Sequence, residues 1–465
     1  MSTSLVFIFM GTMERGSRRG NPAGSRTPQK GAGVSEGAVE RFAGSLRFRT
    51  VSMGYATDEG RREFLALHRH LERSFPAVHG SFPPRKPGDL GLLFRIPGED
   101  PSLRPLLLTA HQDVVPAGNP GDWTRPPFGG EVAEGRVWGR GAVDYKIGLC
   151  GMLEAVEQLL REGAVLRRGV VLAFGHDEEI GGSRGAEGIT SLLEREGVRC
   201  CMALDEGGYI YSYPWARRPA AVVAVAEKGY ATVVLSARGV QGHASVPPGE
   251  LAIEALSRAV CSLADRPMPV RLCTPAAALV EGTVGDPGAL EPDYLQRLTA
   301  HPAANALLRT TAAPTVIGGG EAENVLPAEA SARVNFRTLP GQTSRDVMEH
   351  VRKCLEGLPA KAELVRDASL SEPSDISPAS GFLWDALEES IRHSFPGLDV
   401  YPGIFPAATD SRRYSRICDA VYRFVPARLG SRGMGVLHSV DESVSVDDYL
   451  AAVGFYRALV RRVCG

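Results

Sequence analysis

The eight cysteines of this chain (Cys150, Cys200, Cys201, Cys261, Cys273, Cys354, Cys418 and Cys464) form no Cys-x-x-Cys pair and keep no regular spacing. That pattern argues against a disulfide framework and for the reduced thiols of a cytosolic enzyme. An excess of one charge is also missing. The formal net charge is -2, and no long basic run interleaves with aromatics, so nucleic acid is not an expected partner. Long apolar runs are absent as well. A membrane span needs about 20 consecutive apolar residues, and the apolar stretch at 5–10 is short and preceded by no basic residue. Neither a span nor a secretory signal is expected there. The expected location is cytoplasmic, with a secreted protein as the alternative if the true N-terminus differs. Residues 11–33 are rich in Gly, Arg, Ser and Pro, and 1–33 is expected to be a disordered tail.

What is present is a globular composition, 43% hydrophobic and 23% charged over 465 residues. One ordinary core does not accommodate that length, so two domains are expected. The stretch at 106–116 reads Leu-Leu-Leu-Thr-Ala-His-Gln-Asp-Val-Val-Pro. A short apolar run bounded by proline has the character of a buried parallel strand. It ends in His111 and Asp113, which share one face of an extended chain. The carboxyl ends of such strands are where open α/β sheets place their chemistry. His111 is a candidate metal ligand, its other ring nitrogen held by the Asp113 carboxylate or by the neighbouring backbone. Taken alone, the pair also fits a histidine that only caps a turn.

The pattern repeats. A strand over 169–174 runs into His176-Asp177-Glu178-Glu179-Ile180-Gly181-Gly182, and a third over 201–204 ends in Asp205-Glu206-Gly207-Gly208. So many carboxylates together require cations to offset their repulsion. Asp144 precedes a helix expected over 145–162, where a simple N-cap is the competing role. Other helices are expected over 35–46, 59–75, 344–355 and 382–394, and a strand over 91–96. From about residue 226 the texture changes. Residues 230–237 alternate as an antiparallel strand does, and 239–245 are expected to open a helix running through 263. Residues 267–314 read as an irregular Pro/Ala-rich insertion. Strands are expected at 315–318, 330–336 and 362–365. The expected fold class is α/β: a catalytic domain with a mostly parallel sheet flanked by helices (34–225 and 371–465), interrupted by an inserted α+β sandwich (226–370).

Collected, the candidate ligands are His111, Asp144, Glu179, Asp205 and His438. Mixed nitrogen and oxygen donors suit Zn²⁺, with Mn²⁺ or Co²⁺ as substitutes. Five exceed what one catalytic zinc takes, but they suit two ions that share a carboxylate, bridge a hydroxide and polarise a carbonyl. Glu178 is then placed to act as general base.

These motifs resemble the co-catalytic zinc metallopeptidase family that includes aminoacylase, carboxypeptidase S, and the acetylornithine and succinyl-diaminopimelate deacylases. The likeness runs through His-x-Asp-Val-Val-Pro at 111–116, Gly-Arg-Gly-x-x-Asp-x-Lys at 139–146 and Asp-Glu-Glu-x-Gly at 177–181. It continues through Gly-His-x-Ser at 242–245, Asn-Val-x-Pro at 324–327 and Thr-Asp at 409–410. The Gly-His-Asp-Glu-Glu, Asp-Glu-Gly-Gly and Thr-Asp-Ser-Arg segments are similar to the carboxypeptidase S and N-fatty-acyl-amino acid synthase/hydrolase branch. The resemblance implies a zinc-exopeptidase-like fold with a lid. It implies one metal on His111, Asp144 and Asp205, and a second on Asp144, Glu179 and His438. Asp113 would orient His111, Glu178 would be the base, and His243 on the lid would hydrogen-bond the substrate carbonyl. Asn324 and Arg337, with Arg412 as a further candidate, would hold a substrate carboxylate.

The implied activity is a two-zinc amidohydrolase acting on small-molecule N-acyl-amino acids; the alternative is a zinc carboxypeptidase or dipeptidase acting on short peptides. The reverse condensation belongs to that branch, although no residue here argues for it. A monomer or a lid-mediated homodimer is implied. Two positions depart from the family pattern. Tyr145 stands where a second Asp is common, and Ala408 stands where glycine or a small polar residue is usual. If position 408 required φ > 0, alanine there would cost about 1 kcal/mol.

Overall fold

The computed structural model describes residues 35–465 apart from 287 and 368, so the expectation for the tail lies outside the described residues. The fold is mixed α/β. A main sheet runs in the order Leu92–Ile96, Val170–Gly175, Leu106–His111, Met202–Asp205, Val421–Arg423, Ala220–Glu227 and Asp399–Phe405, with Ile210–Tyr211 added beside Ala220–Glu227. The four strands from Val170–Gly175 to Val421–Arg423 are mutually parallel. Every residue of Leu106–His111 and Val170–Gly175 is buried. This explains why both read as unbroken apolar runs: helices cover both sheet faces, so no side chain meets water. Helices Ser35–Ser45, Lys146–Arg161, Phe382–Ser394 and Val446–Cys464 form the core of one face, and Ala186–Arg195 covers the other.

A second sheet of four antiparallel strands, in the order Thr311–Gly319, Glu329–Arg337, Ala231–Arg238 and Ala360–Leu364, stands apart with its own core. Burial alternates along Ala231–Arg238 and Glu329–Arg337, because only one face is covered, by helices Ala252–Asp265 and Ser344–Leu355. The second helix starts at a capping box in which Thr343 and Asp346 satisfy each other's free amides.

Two expectations need correction. The helix expected from 239–245 begins only at Ala252. Pro247 and Pro248 precede it, and proline and the residue before it resist helix interiors. Gly242–His243 instead pairs with Val325–Leu326. The segment expected to be irregular holds three helices, Thr274–Val284, Pro292–Leu298 and Pro302–Leu308, each with proline in its first two positions. There proline starts a helix rather than breaking one. These helices pack on Val222 and Ile404 of the main sheet's far strands, not on the four-stranded unit.

The chain crosses between the two sheets at Lys228–Tyr230 and again at 371–374. The Gly229 amide donates to the Thr338 carbonyl (2.9 Å), and Tyr230 and Ser371 exchange backbone bonds of 2.8 and 2.9 Å. Gly229 is required at this crossing: a Cβ there would lie 2.2 Å from Thr338 Oγ1 and 2.6 Å from the Ser371 carbonyl.

Candidate metal centre and substrate cleft

Three parallel strands end at one edge of the main sheet, and their terminal residues converge. His111 closes Leu106–His111, and its Nδ1 lies 2.9 Å from the backbone carbonyl of Asp113 and 3.5 Å from the Asp113 carboxylate. The backbone therefore holds the imidazole more closely than the carboxylate does. The Asp113 carboxylate is engaged elsewhere, accepting from Ser52 Oγ (2.7 Å) and from the amides of Glu178 (3.2 Å) and Glu179 (3.1 Å). It fixes the loop that carries the base candidate.

Asp144 lies between two imidazoles. Its Oδ1 is 3.2 Å from His111 Nε2, and its Oδ2 is 3.1 Å from His438 Nε2. Although Asp144 precedes helix Lys146–Arg161, it makes no cap; the N-cap position is Tyr145. His438 Nε2 also lies 3.2 Å from Glu179 Oε2. Ligand-type atoms of His111, Asp144 and Glu179 lie within 4.8 Å of one another, and so do those of His111, Glu178 and Glu206.

Asp205 does not join either group; its neighbour Glu206 does, with Oε1 3.6 Å from His111 Nε2. Asp205, the expected ligand, is the last residue of strand Met202–Asp205 and is buried beside Glu206. Burial pushes the Asp205 carboxyl up to about 6, and the His111 imidazole acts on it in the opposite sense. Its Oδ2, like Glu179 Oε1, is buried without a hydrogen-bond partner.

Sequence reading also missed Glu442. This buried carboxylate accepts from the amides of Gly141 (3.1 Å), Val143 (2.8 Å) and Asp144 (3.1 Å) and from Arg140 Nη1 (2.8 Å). Arg140 also donates to the carbonyls of His438 (3.1 Å) and Ser439 (3.0 Å). The pair locks the Asp144 loop to the His438 loop. A glutamate four residues after a histidine was the available signal.

The electrostatics of the cluster call for a cation. Burial pushes the Glu178 carboxyl well above its usual range, and the Glu206 carboxylate adds to the rise. Glu206 itself is raised by burial and by Asp144. Hydrogen bonds to Asp144 and Glu179 push His438 up to about 10. Burial opposes ionisation of Asp144, yet bonds from His111 and His438 hold it below the normal carboxylate range. The donor set, imidazole and carboxylate with Glu179 Oε1 left buried and unpartnered, fits hard or borderline divalent ions.

Two spaces adjoin the cluster. A polar cleft of about 580 Å³ runs from Glu178 and Asp410 to Tyr230, Glu227 and Arg412. Arg337 stands at the crossing beside it, stacked on Tyr230 at 4.6 Å, its Nε bonded to Asn335 Oδ1 at 3.2 Å. Arg412 Nε donates to Glu227 Oε1 at 2.9 Å, while its Nη2 is buried and unpartnered. The second space is an apolar cavity of about 350 Å³ lined by Tyr209, Tyr211, Leu307, Phe405 and Met434 among others. It borders the cluster through Tyr209, whose hydroxyl feels Asp144, Glu206 and His111. His243 and Asn324 are not brought to the cluster. Both are exposed, side by side at the tip of the four-stranded unit, where the Ala244 amide donates to the Asn324 carbonyl at 3.0 Å.

The departures noted in the sequence resolve simply. Tyr145 is buried, its ring near His111 and its hydroxyl 2.8 Å from that of Tyr456. Ala408 is not among the described non-glycine residues with positive φ, so no strain arises there; His438 is one of them, at 59°.

A two-sheet α/β chain with histidines and carboxylates gathered at parallel strand ends defines the metallopeptidase class of hydrolase. The chain belongs to peptidase family M20/M25/M40, whose sequence profile matches residues 107–462, and that family is generally metal-dependent. It is 33% identical to the probable carboxypeptidase S-like 2 of Dictyostelium discoideum, over 91% of this chain and 84% of that one. It is 34% identical to the N-fatty-acyl-amino acid synthase/hydrolase PM20D1 of Mus musculus, over 97% of this chain and 93% of that one. Among solved structures, the M20 family metallo-carboxypeptidase Sso-CP2 from Sulfolobus solfataricus shares the fold with a TM-score of 0.66 at 18% identity, over 91% of this chain and 98% of that one. Among the described residues no helix is long and apolar enough to cross a membrane.

Proposed function

We propose that this enzyme is a two-metal amidohydrolase that cleaves the amide bond of N-acyl-amino acids. The observation that carries the reading is the apolar cavity at the cluster. Its described lining residues include no charged side chain. An acyl group is at home there, whereas a free α-ammonium would lose its hydration without gaining an anionic partner. The cationic end of the polar cleft suits the substrate carboxylate. Arg337 and Arg412 are the residues we assign to it, in charge-assisted and, for Arg337, bidentate contact. The alternative, a carboxypeptidase or dipeptidase, uses the same carboxylate end and differs in what the cavity accepts.

His111, Asp144, Glu179 and His438, with Asp205 or its neighbour Glu206, would hold the ions, for which Zn²⁺ is our assignment and Mn²⁺ or Co²⁺ the substitutes. When bound, the ions supply Lewis-acid activation of water and of the scissile carbonyl. Glu178 takes a proton from the attacking water and delivers it to the departing amine nitrogen. Asp113 holds the Glu178 loop through two backbone amides. His243 and Asn324 act when the tip that carries them reaches the cluster. A homodimer built through the lid suits that requirement, because Thr311–Gly319 is an exposed edge strand on which Val316 and Ile317 are 57% and 64% exposed. The eight free thiols support a reducing, cytoplasmic setting.

The test is metal content and hydrolysis of a panel of N-acyl-amino acids and dipeptides, wild type beside Glu178→Ala. We expect about two metal equivalents in both proteins and a kcat lower by roughly 10²- to 10⁴-fold in the variant. The ranking of the panel separates acylase from dipeptidase. Bound metal without turnover of any member of the panel would sink the reading.

A further inference from the structure

Glu227 ends strand Ala220–Glu227 and is fully buried at 0% exposure. A buried carboxylate is costly unless its lone pairs are filled, and here they are filled by one loop and one strand. Thr409 donates to it through both amide and hydroxyl (3.1 Å each), Arg412 through Nε (2.9 Å) and Arg423 through Nε (3.2 Å). The Ser411 hydroxyl lies 3.4 Å away. The backbone of the same residue belongs to the crossing between the sheets: its amide donates to Ser374 Oγ at 2.9 Å, and its carbonyl accepts from the Ser374 amide at 3.1 Å. One residue therefore joins the two chain crossings to the loop that carries Arg412. Because Glu227 accepts from Nε, Arg412 keeps Nη2 free, and that nitrogen is buried and unpartnered beside the cleft that leads to Glu178.

We propose that Glu227 is a positioning residue that sets the Arg412 guanidinium for the substrate carboxylate and ties its placement to the hinge between the two sheets. Arg412 is held through Nε, so its Nη2 presents a fixed donor to an anion in the cleft. A shift of the four-stranded unit moves Ser374 and Tyr230, and the strain passes through Glu227 to Thr409 and Arg412. Carboxylate recognition and the setting of the hinge are then one event. This inference rests on the proposed N-acyl-amino acid reading.

The experiment compares Glu227→Gln with wild type on an N-acyl-amino acid and on the same compound with its carboxylate capped as the primary amide. We expect the variant to keep its metal and to raise KM for the acid by roughly 10- to 100-fold, the loss of one charge-assisted hydrogen bond. KM for the amide, which lacks the anion, stays at its wild-type value. A merely structural role would weaken acid and amide alike, and that result, or no change on either, overturns the proposal. Should Glu227→Gln not fold, Thr409→Val removes one donor while keeping both charges, and is expected to move the acid KM in the same direction by less. A calorimetric titration of the acid into Glu178→Ala and Glu178→Ala/Glu227→Gln proteins needs no turnover. Weaker acid binding in the double variant supports the role of Glu227 even if the wild type hydrolyses nothing on the panel, and equal binding refutes it.

Discussion

At the scale of single residues, the cluster is decided by which side of a strand end a carboxylate leaves from. Asp205 and Glu206 are adjacent and chemically alike: Glu206 lies 3.6 Å from His111, and Asp205, its Oδ2 buried and unpartnered, feels the same imidazole. Replacing Glu206 by Gln is expected to weaken metal binding beyond the roughly 10- to 100-fold that loss of an outer partner costs, while Asp205→Asn and Glu442→Gln stay within that range. Competitive chelator titration of the three variants measures this; a reversed order of Glu206 and Asp205 would restore the sequence-based assignment. His111, Asp144, Glu178 and Glu179 were legible in the chain because each follows an unbroken apolar run or a glycine-bounded turn. The sequence singled out Asp205 and not Glu206, and a one-residue register decides which of two neighbours faces a site. Glu227 and Glu442 were not legible, because a buried carboxylate shows its worth only through partners distant in sequence, such as Arg412 and Arg140.

At the scale of elements, Lys228 ties three of them together. It follows strand Ala220–Glu227, and its buried ammonium donates to the carbonyls of Ala306 (2.9 Å) and Arg309 (2.8 Å) at the end of helix Pro302–Leu308. Burial and, after it, the nearby Arg337 charge lower its pKa to about 7. The unfolded chain binds this proton up to about pH 10.4 and the folded chain releases it near 7, so the unfolded state holds more protons in between. Folding stability from this group therefore rises as pH climbs from about 7 towards 10, once the cost of burying the charge is relieved. Thermal melts of wild type and Lys228→Met over that range should show the wild type gaining on the variant; parallel curves would refute the assignment. The three helices of this region were hidden in the sequence by their prolines, which read as breakers until each proves to stand at a helix start. The long strands and paired helices of the four-stranded unit were plain from their alternation and capping.

At the scale of the whole molecule, the four-stranded unit carries apolar surface that it does not use. Val316 and Ile317 lie exposed on the edge strand, and Val240 and Val246 are exposed near His243, at 68% and 79%. Such a rim on an open sheet edge invites pairing with a second chain. Val316→Lys/Ile317→Lys is expected to shift the protein to monomer in sedimentation equilibrium and to lower kcat while leaving metal content intact. Unchanged mass with unchanged kcat would place His243 outside the reaction.

The interlock between the Asp144 and His438 loops has a consequence for how the enzyme comes into being. His111, Asp144, Glu179 and Glu206 emerge from the ribosome early. His438 and its brace Glu442 emerge only with the last strand and helix. The growing chain thus carries an open, acidic cradle for most of its synthesis. On the proposed ligand set, catalysis waits for the His438 loop, and a fragment ending before that loop would lack both His438 and its brace.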